Sequence, residues 1–389
     1  MNAGADRPLV GLPFRAMDTV ISQMLDRVRE AAAHQTPLRI RGGGSKDFHG
    51  GVPLHGEVLD TRACSGIVSY EPSELVVTAR AGTPLAGLEA VLAEQGQCLA
   101  FEPPHFGPEA TVGGMVAAGL SGPARASVGA VRDFVLGVQL INGRAEHLAF
   151  GGQVMKNVAG YDVSRLMVGA WGTLGLLTQV SLKVLPVPPG EATLRFDCDQ
   201  AEALQRLHAW GGQPLPLNAS CWVQDGGVGR LFVRLRGAVA AVEAACKSMG
   251  GARQDNDAVA ADWAACRDQR LPWFAERAQF NALDLWRLSV PDTAPVLALP
   301  EGVAAPLMEW HGALRWVQAG REHAPALRAA AMQAGGSASL FIAGSAGAAS
   351  ASAGFGSNSG AMGQIHQRLR QAFDPAGIFN PARAAAVGA

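Results

Sequence analysis

Between residues 38 and 45 the chain reads LRIRGGGS, a short apolar strand that runs into three consecutive glycines and a hydroxyl. Glycine enters φ > 0 without strain and has no Cβ to hold a neighbour away. Successive N–H groups in such a turn can converge into a nest for an anion. One glycine or an Asn-Gly pair serves a plain tight turn, so three after a strand favour a phosphate-bearing ligand. Upstream, Asp18 to His34 set Val20, Ile21, Met24, Leu25, Val28, Ala31 and Ala32 at helical spacing. The order is thus helix, strand, glycine turn. A Rossmann unit places its helix after the turn and needs a third glycine where Asp47 stands. The Walker pattern is also absent, although Lys46 lies close by.

Glycine clusters also occur in simple loops, so a second element has to agree. PEATVGGMVAAGLSGP, Pro108 to Pro123, offers one. Thr111 reads as an N-cap, with Gly113 and Gly114 in the first helical turn. Such an N-terminus presents free amides and a partial positive charge. Small side chains at Ala117, Ala118 and Gly119 let a flat ligand or another stretch of backbone come close. A tightly packed small-residue helix explains the same letters. Two such elements about seventy residues apart favour an extended dinucleotide over a single nucleotide. A third element, Lys156 to Pro186, reads as a turn, a short helix around Asp162 to Val168, a glycine-punctuated turn and a long alternating strand.

Further signals set the frame. Thr83 and Pro84, then Leu85, Leu88, Val91 and Leu92, then Gly96, mark a helix between strands at about 74–81 and 97–101. Val135 to Phe150 reads as a hairpin with Asn142-Gly143 in a type I′ turn. The cluster Pro186, Pro188, Pro189 and Gly190 is the expected domain boundary. From 191 to about 256 the order strand, helix, strand, Gly-Gly turn, strand, helix, strand is ferredoxin-like. Gly344 to Gly360 reads as a mobile loop. The expected division is 1–188, 189–343, 344–360 and 361–389.

At 389 residues the chain suits two domains. Its net charge of −1, without a basic stripe, argues against nucleic acid as a partner. MNAGADRPLV lacks the basic start and apolar run of a secretory signal, and no apolar run reaches the ~20 residues that span a bilayer. A soluble, cytoplasmic chain is expected. Cys64, Cys98, Cys198, Cys221, Cys246 and Cys266 include no C-x-x-C pair, so neither an iron–sulfur cluster nor a zinc site is expected. Charged residues make up only 17%, which fits a subunit with interfaces to cover.

RGGGS, PEATVGG, VRDFVLGV, KNVAGYD and GTLGLLTQV in this order, with FDPAGIFNP at Phe373 to Pro381, resemble the vanillyl-alcohol-oxidase and p-cresol-methylhydroxylase (PCMH-type) flavoprotein family, and within it the GlcE-type subunits of bacterial glycolate oxidase (glycolate dehydrogenase). The resemblance implies an α+β fold: a PCMH-type FAD-binding domain of two α/β subdomains, then a ferredoxin-like α+β cap, with 361–389 returning to the first domain. It implies that Gly42, Gly43, Gly44 and Ser45 cradle the pyrophosphate of FAD. Ala110, Thr111, Gly113 and Gly114 would line the isoalloxazine and phosphate region beside Ser121 and Gly122. Arg132, Asp133 and Val135 would precede a hairpin at the site, and Gly175, Leu176 and Leu177 would approach the adenosine. Some members attach the flavin through a histidine beside the glycine turn. Ser45 stands there, so a non-covalent FAD is expected, with His49 as the competing candidate.

Related α-hydroxy-acid dehydrogenases hold a metal with clustered histidines in their second half. Here only His208, His311, His323 and His366 follow residue 200, without metal-ligand spacing, and no metal is expected. His311, in EWHGALRW and read as part of a strand, is the candidate base. Arg315 is the candidate carboxylate clamp. Both residues also have a purely structural reading. Three functions stay open, ahead of a fourth, an FAD-dependent reductase of a nucleotide-sugar enolpyruvate, which shares the fold but needs nicotinamide binding and a Ser or Cys proton donor that the sequence does not place. In the first, the chain is an FAD subunit of a complex oxidising glycolate or a similar 2-hydroxy acid such as D-lactate, with a sister FAD subunit, an iron–sulfur subunit and membrane contact only through the complex. The second is a self-sufficient dehydrogenase, and the third a non-redox scaffold stabilised by FAD.

Overall fold

The computed structural model describes residues 14–51, 54–152, 162–275, 283–344 and 361–383. The segment expected to be helical from Asp18 is helix α1 (Phe14–His34). Its apolar stripe buries Met17, Ile21, Met24, Val28 and Ala31. They pack on the parallel strands β1 (Leu38–Arg41) and β2 (Glu57–Asp60). The same core takes Ile378 and Phe379 from the far end of the chain. Leu38 N donates to Ile378 O at 2.7 Å and Asn380 N to Leu38 O at 2.9 Å, so this segment runs alongside β1. Asp374 sets its direction, accepting from the amides of Ile378 (3.1 Å) and Phe379 (2.8 Å).

Strands β3 (Ile67–Glu71), β4 (Val76–Arg80), β5 (Gln97–Cys98), β6 (Val135–Ile141), β7 (His147–Gly151), β8 (Leu176–Lys183) and β9 (Leu185–Pro186) follow. Five of them form an antiparallel sheet in the order β3-β4-β8-β6-β7, and β5 pairs with β9. Helices α2 (Leu85–Glu94) and α3 (Val112–Ala118) cover it, with Leu85, Leu88 and Leu92 fully buried. Gly96, at φ +62°, ends α2 as its position predicts.

The β6–β7 hairpin forms, but not through a type I′ turn. Asn142 N donates to Glu146 O and Ala145, not Gly143, takes the positive φ. This is a three-residue loop ending in a left-handed residue. Gly143 is needed for another reason: a Cβ there would lie 2.5 Å from Asp374 Oδ1.

Beyond Gly190 come β10 (Gly190–Asp197), a helix over Gln200–Gly211, β11 (Leu217–Asp225), β12 (Val228–Gly237), a helix over Val239–Met249 and β13 (Ala252–Arg253). Their order β13-β10-β12-β11 is the antiparallel ferredoxin-like arrangement. The sheet does not stop there. β14 (Asp284–Ser289), β15 (Leu307–Glu309), β16 (Leu314–Ala319) and β17 (Ser337–Ile342) extend it to eight strands in the order β13-β10-β12-β11-β15-β16-β14-β17. EWHGALRW is not one strand: Trp310, His311 and Gly312, all at positive φ, form the tight turn between β15 and β16. The expectations for Lys156 to Tyr161 and for 345–360 lie outside the described residues.

Candidate functional site

The glycine turn after β1, the first turn of α3, the Met167–Gly175 loop and the tail at Asn380 and Arg383 line an open cleft. The amides of Gly42, Gly43, Gly44, Ser45 and Lys46 donate to no group among the described residues. Five successive bare N–H groups on a cleft wall are what an anionic ligand requires.

The glycines are needed for packing as well. A Cβ on Gly42 would lie 2.3 Å from Thr111 Oγ1, and one on Gly43 only 1.5 Å from the carbonyl oxygen of Glu109. The two glycine-rich elements therefore lie backbone against backbone. Gly44, at φ +72°, is a left-handed position. The start of α3 departs from expectation. Val112 N donates to Thr83 O, Gly113 N to Ala81 O, and Gly114 N to the Thr111 hydroxyl. This helix end has spent its amides internally, so Thr111, Gly113 and Gly114 give the cleft a close, smooth wall and not a phosphate clamp.

Charge at the cleft is positive. Asp47 occupies Arg39 (2.5 Å) and Arg41 (2.9 Å), which fixes the turn. Among the described residues neither Lys46 nor Arg383 forms an ion pair with a carboxylate, although Asp268 and Asp47 lie near enough to act on them. Lys46 Nζ lies 3.4 Å from both Ser45 Oγ and the carbonyl oxygen of His105, and burial pulls its ammonium down to about 8. The Arg383 guanidinium lies 4.5 Å from the centre of the Trp171 ring and donates through Nη2 to Lys46 O at 3.1 Å. Its Nη1 is buried without a partner among the described residues, and burial pushes the group down to about 10. An orphaned cationic donor beside five unpaired amides fits a pyrophosphate.

The structure brings Gly42, Gly43, Gly44, Ser45, Thr111, Gly113, Gly114, Gly175 and Leu177 to this cleft. It does not bring the others. Ala110 and Val135 are core side chains of the five-stranded sheet, and Leu176 belongs to the core under α1. Arg132 and Asp133 are exposed, and Asp133 caps its own turn by accepting from Ala130 N at 2.8 Å. Ser121 and Gly122 line a second, smaller cavity.

Neither catalytic candidate reaches either cavity. His311 Nε2 lies 2.9 Å from the Ser127 hydroxyl and Nδ1 3.1 Å from that of Ser220, bridging the two halves of the chain. Burial lowers its pKa. Arg315 is fully buried and donates to the carbonyls of Gly312 (3.1 Å), Pro295 (2.6 Å) and Ala294 (2.7 Å), so its fork is filled by main chain and cannot clamp a carboxylate. The register explains this: Arg315 sits opposite Leu288 on the side of the sheet that packs its own core, while Arg287, opposite Trp316, faces the other way.

Sequence reasoning did not assign Lys46, Trp171, Asn380 or Arg383. Asn380 accepts from Ile40 N (2.9 Å) and donates to Trp171 O (2.8 Å), tying tail, strand and loop together. The signal lay in FDPAGIFNP, which contains Asn380 and ends two residues before Arg383.

The family described as FAD binding domain matches residues 19–151. Glycolate oxidase subunit GlcE of Escherichia coli (strain K12) is 45% identical over 360 residues, covering 92% of this chain and 96% of that protein. Glycolate oxidase subunit GlcD of Bacillus subtilis (strain 168) is 31% identical over 41% of this chain and 34% of its own length. D-lactate dehydrogenase of Archaeoglobus fulgidus is 34% identical over 39% of this chain and 33% of its own length. The chain thus spans about a third of these last two. Among solved structures, alkyldihydroxyacetonephosphate synthase superposes with a TM-score of 0.60 at 16% identity, over 92% of this chain and 74% of that one, which is a likeness of fold alone.

Proposed function

The chain belongs to the GlcE family of FAD-binding glycolate oxidase subunits, and from that premise we propose that it serves as a flavoprotein subunit in a complex oxidising glycolate or a similar 2-hydroxy acid such as D-lactate. The observation that carries this reading is the run of amides at Gly42–Lys46, unpaired among the described residues, on a cleft also lined by Lys46 and Arg383. These groups would hold the pyrophosphate of FAD. Thr111, Gly113, Gly114 and Ala117 would bound its flat portion, and Gly175 and Leu177 its adenosine end. Once bound, FAD supplies the two-electron chemistry, while the chain supplies binding, orientation and electrostatics. Lys46 and Arg383 neutralise the diphosphate, and Trp171 fixes the plane of Arg383.

FAD is held without a covalent bond in this reading. Ser45 cannot serve as a histidine link, and His49 is stacked on Trp171 at 4.2 Å with Phe341 edge-on at 5.0 Å. Burial and the nearby Arg383 and Arg287 hold its imidazole neutral. A sister FAD subunit and an iron–sulfur subunit complete the complex. Contact with a membrane would come through them, since among the described residues no helix is long and apolar enough to cross one. The working domain division is 1–188 for FAD, 189–343 for the cap and 361–389 for the returning tail.

Affinity purification of a tagged copy tests the proposal. Stoichiometric FAD released by acid, an unmodified mass for the denatured chain and two co-purifying subunits are expected. A colourless chain that takes up no FAD would refute the reading. FAD that dithionite leaves oxidised would instead favour a scaffold role.

A further inference from the structure

Lys46 ends the glycine turn and lines the cleft, yet only 8% of the residue is exposed. A buried ammonium ordinarily secures a carboxylate, or charge-assisted hydrogen bonds of about 2.7–2.9 Å. Lys46 has neither among the described residues. Its Nζ lies 3.4 Å from both Ser45 Oγ and the carbonyl oxygen of His105, and 5.6 Å from the centre of the Phe106 ring. Contacts of that length do not replace the water the ammonium gave up on burial.

The charged groups around it come from every neighbouring segment and are engaged elsewhere. On its own turn, Asp47 is held by Arg39 and Arg41. From the second half, Asp268 acts on Lys46 through space, but it accepts from Arg267 (2.8 Å), Arg270 (3.3 Å) and the amide of His105 (2.8 Å). The ring of His105 lies 2.9 Å from Glu89. The tail brings another cation, Arg383, whose Nη2 donates to the carbonyl of Lys46 itself at 3.1 Å. His49, three residues on, is held neutral by burial. Burial thus disfavours the Lys46 ammonium more than Asp268 favours it, and the group is pulled down to about 8. An anion brought beside a desolvated lysine restores its charged form. The diphosphate that the adjacent amides would hold is such an anion.

We propose that Lys46 gains a proton from solution as the diphosphate of FAD enters the cleft in the alkaline range, so that coenzyme loading is coupled to pH. The inference rests on the reading of the chain as an FAD subunit and adds to it a proton exchanged at one side chain. The step balances: a neutral amine and a proton become an ammonium paired with the diphosphate, and no bond but N–H forms. The sign follows from linkage. A group that holds its proton more firmly in the complex makes that complex weaken as pH rises past the pKa of the free group. Affinity is full well below pH 8 and falls to about a tenth at pH 9.

Calorimetry of FAD binding to the full chain freed of coenzyme tests this at pH 7 and pH 9. Two buffers of unlike ionisation enthalpy at each pH count the protons exchanged. Uptake of about 0.1 proton per FAD at pH 7 and about one at pH 9 is expected, with affinity about tenfold weaker at pH 9. Lys46→Arg keeps a cation through this range, so uptake at pH 9 should drop to the ~0.1 that Arg383, pushed down to about 10, contributes. Its FAD affinity should differ less than twofold between the two pH values. Lys46→Met covers the case in which arginine disturbs the turn: uptake at pH 9 should drop equally, and FAD should bind more weakly at both values. Melting temperature is read on each variant. Loss of the pH 9 uptake in a folded variant supports the proposal. Tight FAD binding by wild type without uptake at pH 9 would overturn it, as would an uptake that both variants retain, which places the proton on the flavin ring or elsewhere. Either result leaves the subunit reading standing, whereas failure to bind FAD at both pH values would remove that reading as well.

Discussion

Replacing Gly43 by alanine tests whether the glycine turn is fixed by the neighbouring chain as well as by its ligand. The added Cβ would lie 1.5 Å from the Glu109 carbonyl oxygen and 2.3 Å from its carbon, where an ordinary contact starts at 3.4 Å. The difference, 3.4 − 1.5, is 1.9 Å, and no side chain can swing aside to supply it because both partners are main chain. Overpacking ordinarily costs about 1–3 kcal/mol, and a backbone clash belongs at the top of that range. If about 3 kcal/mol falls on the liganded geometry of the turn, FAD affinity drops about 100-fold. Gly96→Ala is the control. That glycine sits at φ +62° with nothing within 4 Å of its added Cβ, so it should cost only the left-handed strain of about 1–2 kcal/mol and leave FAD affinity alone. Urea melts and flavin-fluorescence titrations of both variants decide the matter. A Gly43→Ala protein with wild-type melting midpoint and FAD affinity within threefold of wild type would refute the argument.

Arg383→Met keeps a side chain against Trp171 but removes the orphaned donor along with the hydrogen bond to Lys46 O; the apoprotein should lose about 1–3 kcal/mol in urea, and FAD affinity, read by titration on the folded variant, should fall about 10–100-fold. Asn380→Ala leaves Ile40 N and Trp171 O without partners and should cost about 2–4 kcal/mol in a urea melt. Burial raises Glu309 from 4.5 to about 7, so the folded state holds that proton more firmly than the unfolded chain. The associated stability is complete below about pH 4.5 and is lost as pH rises through 7. Each tenfold gain in proton affinity on folding is worth about 1.4 kcal/mol, so wild type should lose about 2–3 kcal/mol relative to Glu309→Gln between pH 5 and 8. Parallel melts of the two proteins check this, and equal losses would contradict it.

The elements that local physics dictates were legible. The seven apolar positions of α1, the start and stop of α2 and the strand–helix alternation after Gly190 follow from periodicity and turn chemistry, and the glycine turn after β1 lines the cleft. What stayed hidden depends on partners far away in sequence. Gly43 is glycine partly because Glu109 lies on it, and no window around RGGGS contains that fact. The amides opening α3 looked available because Ala81 and Thr83, which accept two of them, lie on another segment. Arg315 and Arg287 are equally visible as letters. Which one reaches the cavity is set by the β14–β16 register, which alternates sides at every residue. The loop of residues 143–145 formed in place of the Asn-Gly turn, and Asp374, from a distant segment, packs on Gly143.

The contact between Arg383 and Lys46 spans 337 positions of chain. A ribosome adding roughly 5–20 residues per second needs about twenty seconds to a minute to cover that stretch. Until then the nascent turn has neither its closing guanidinium nor the Asn380 tie that steadies it. Coenzyme capture is thereby deferred until residue 383 has been made, so a yellow product certifies synthesis past that residue, and fragments cut short of it should emerge pale.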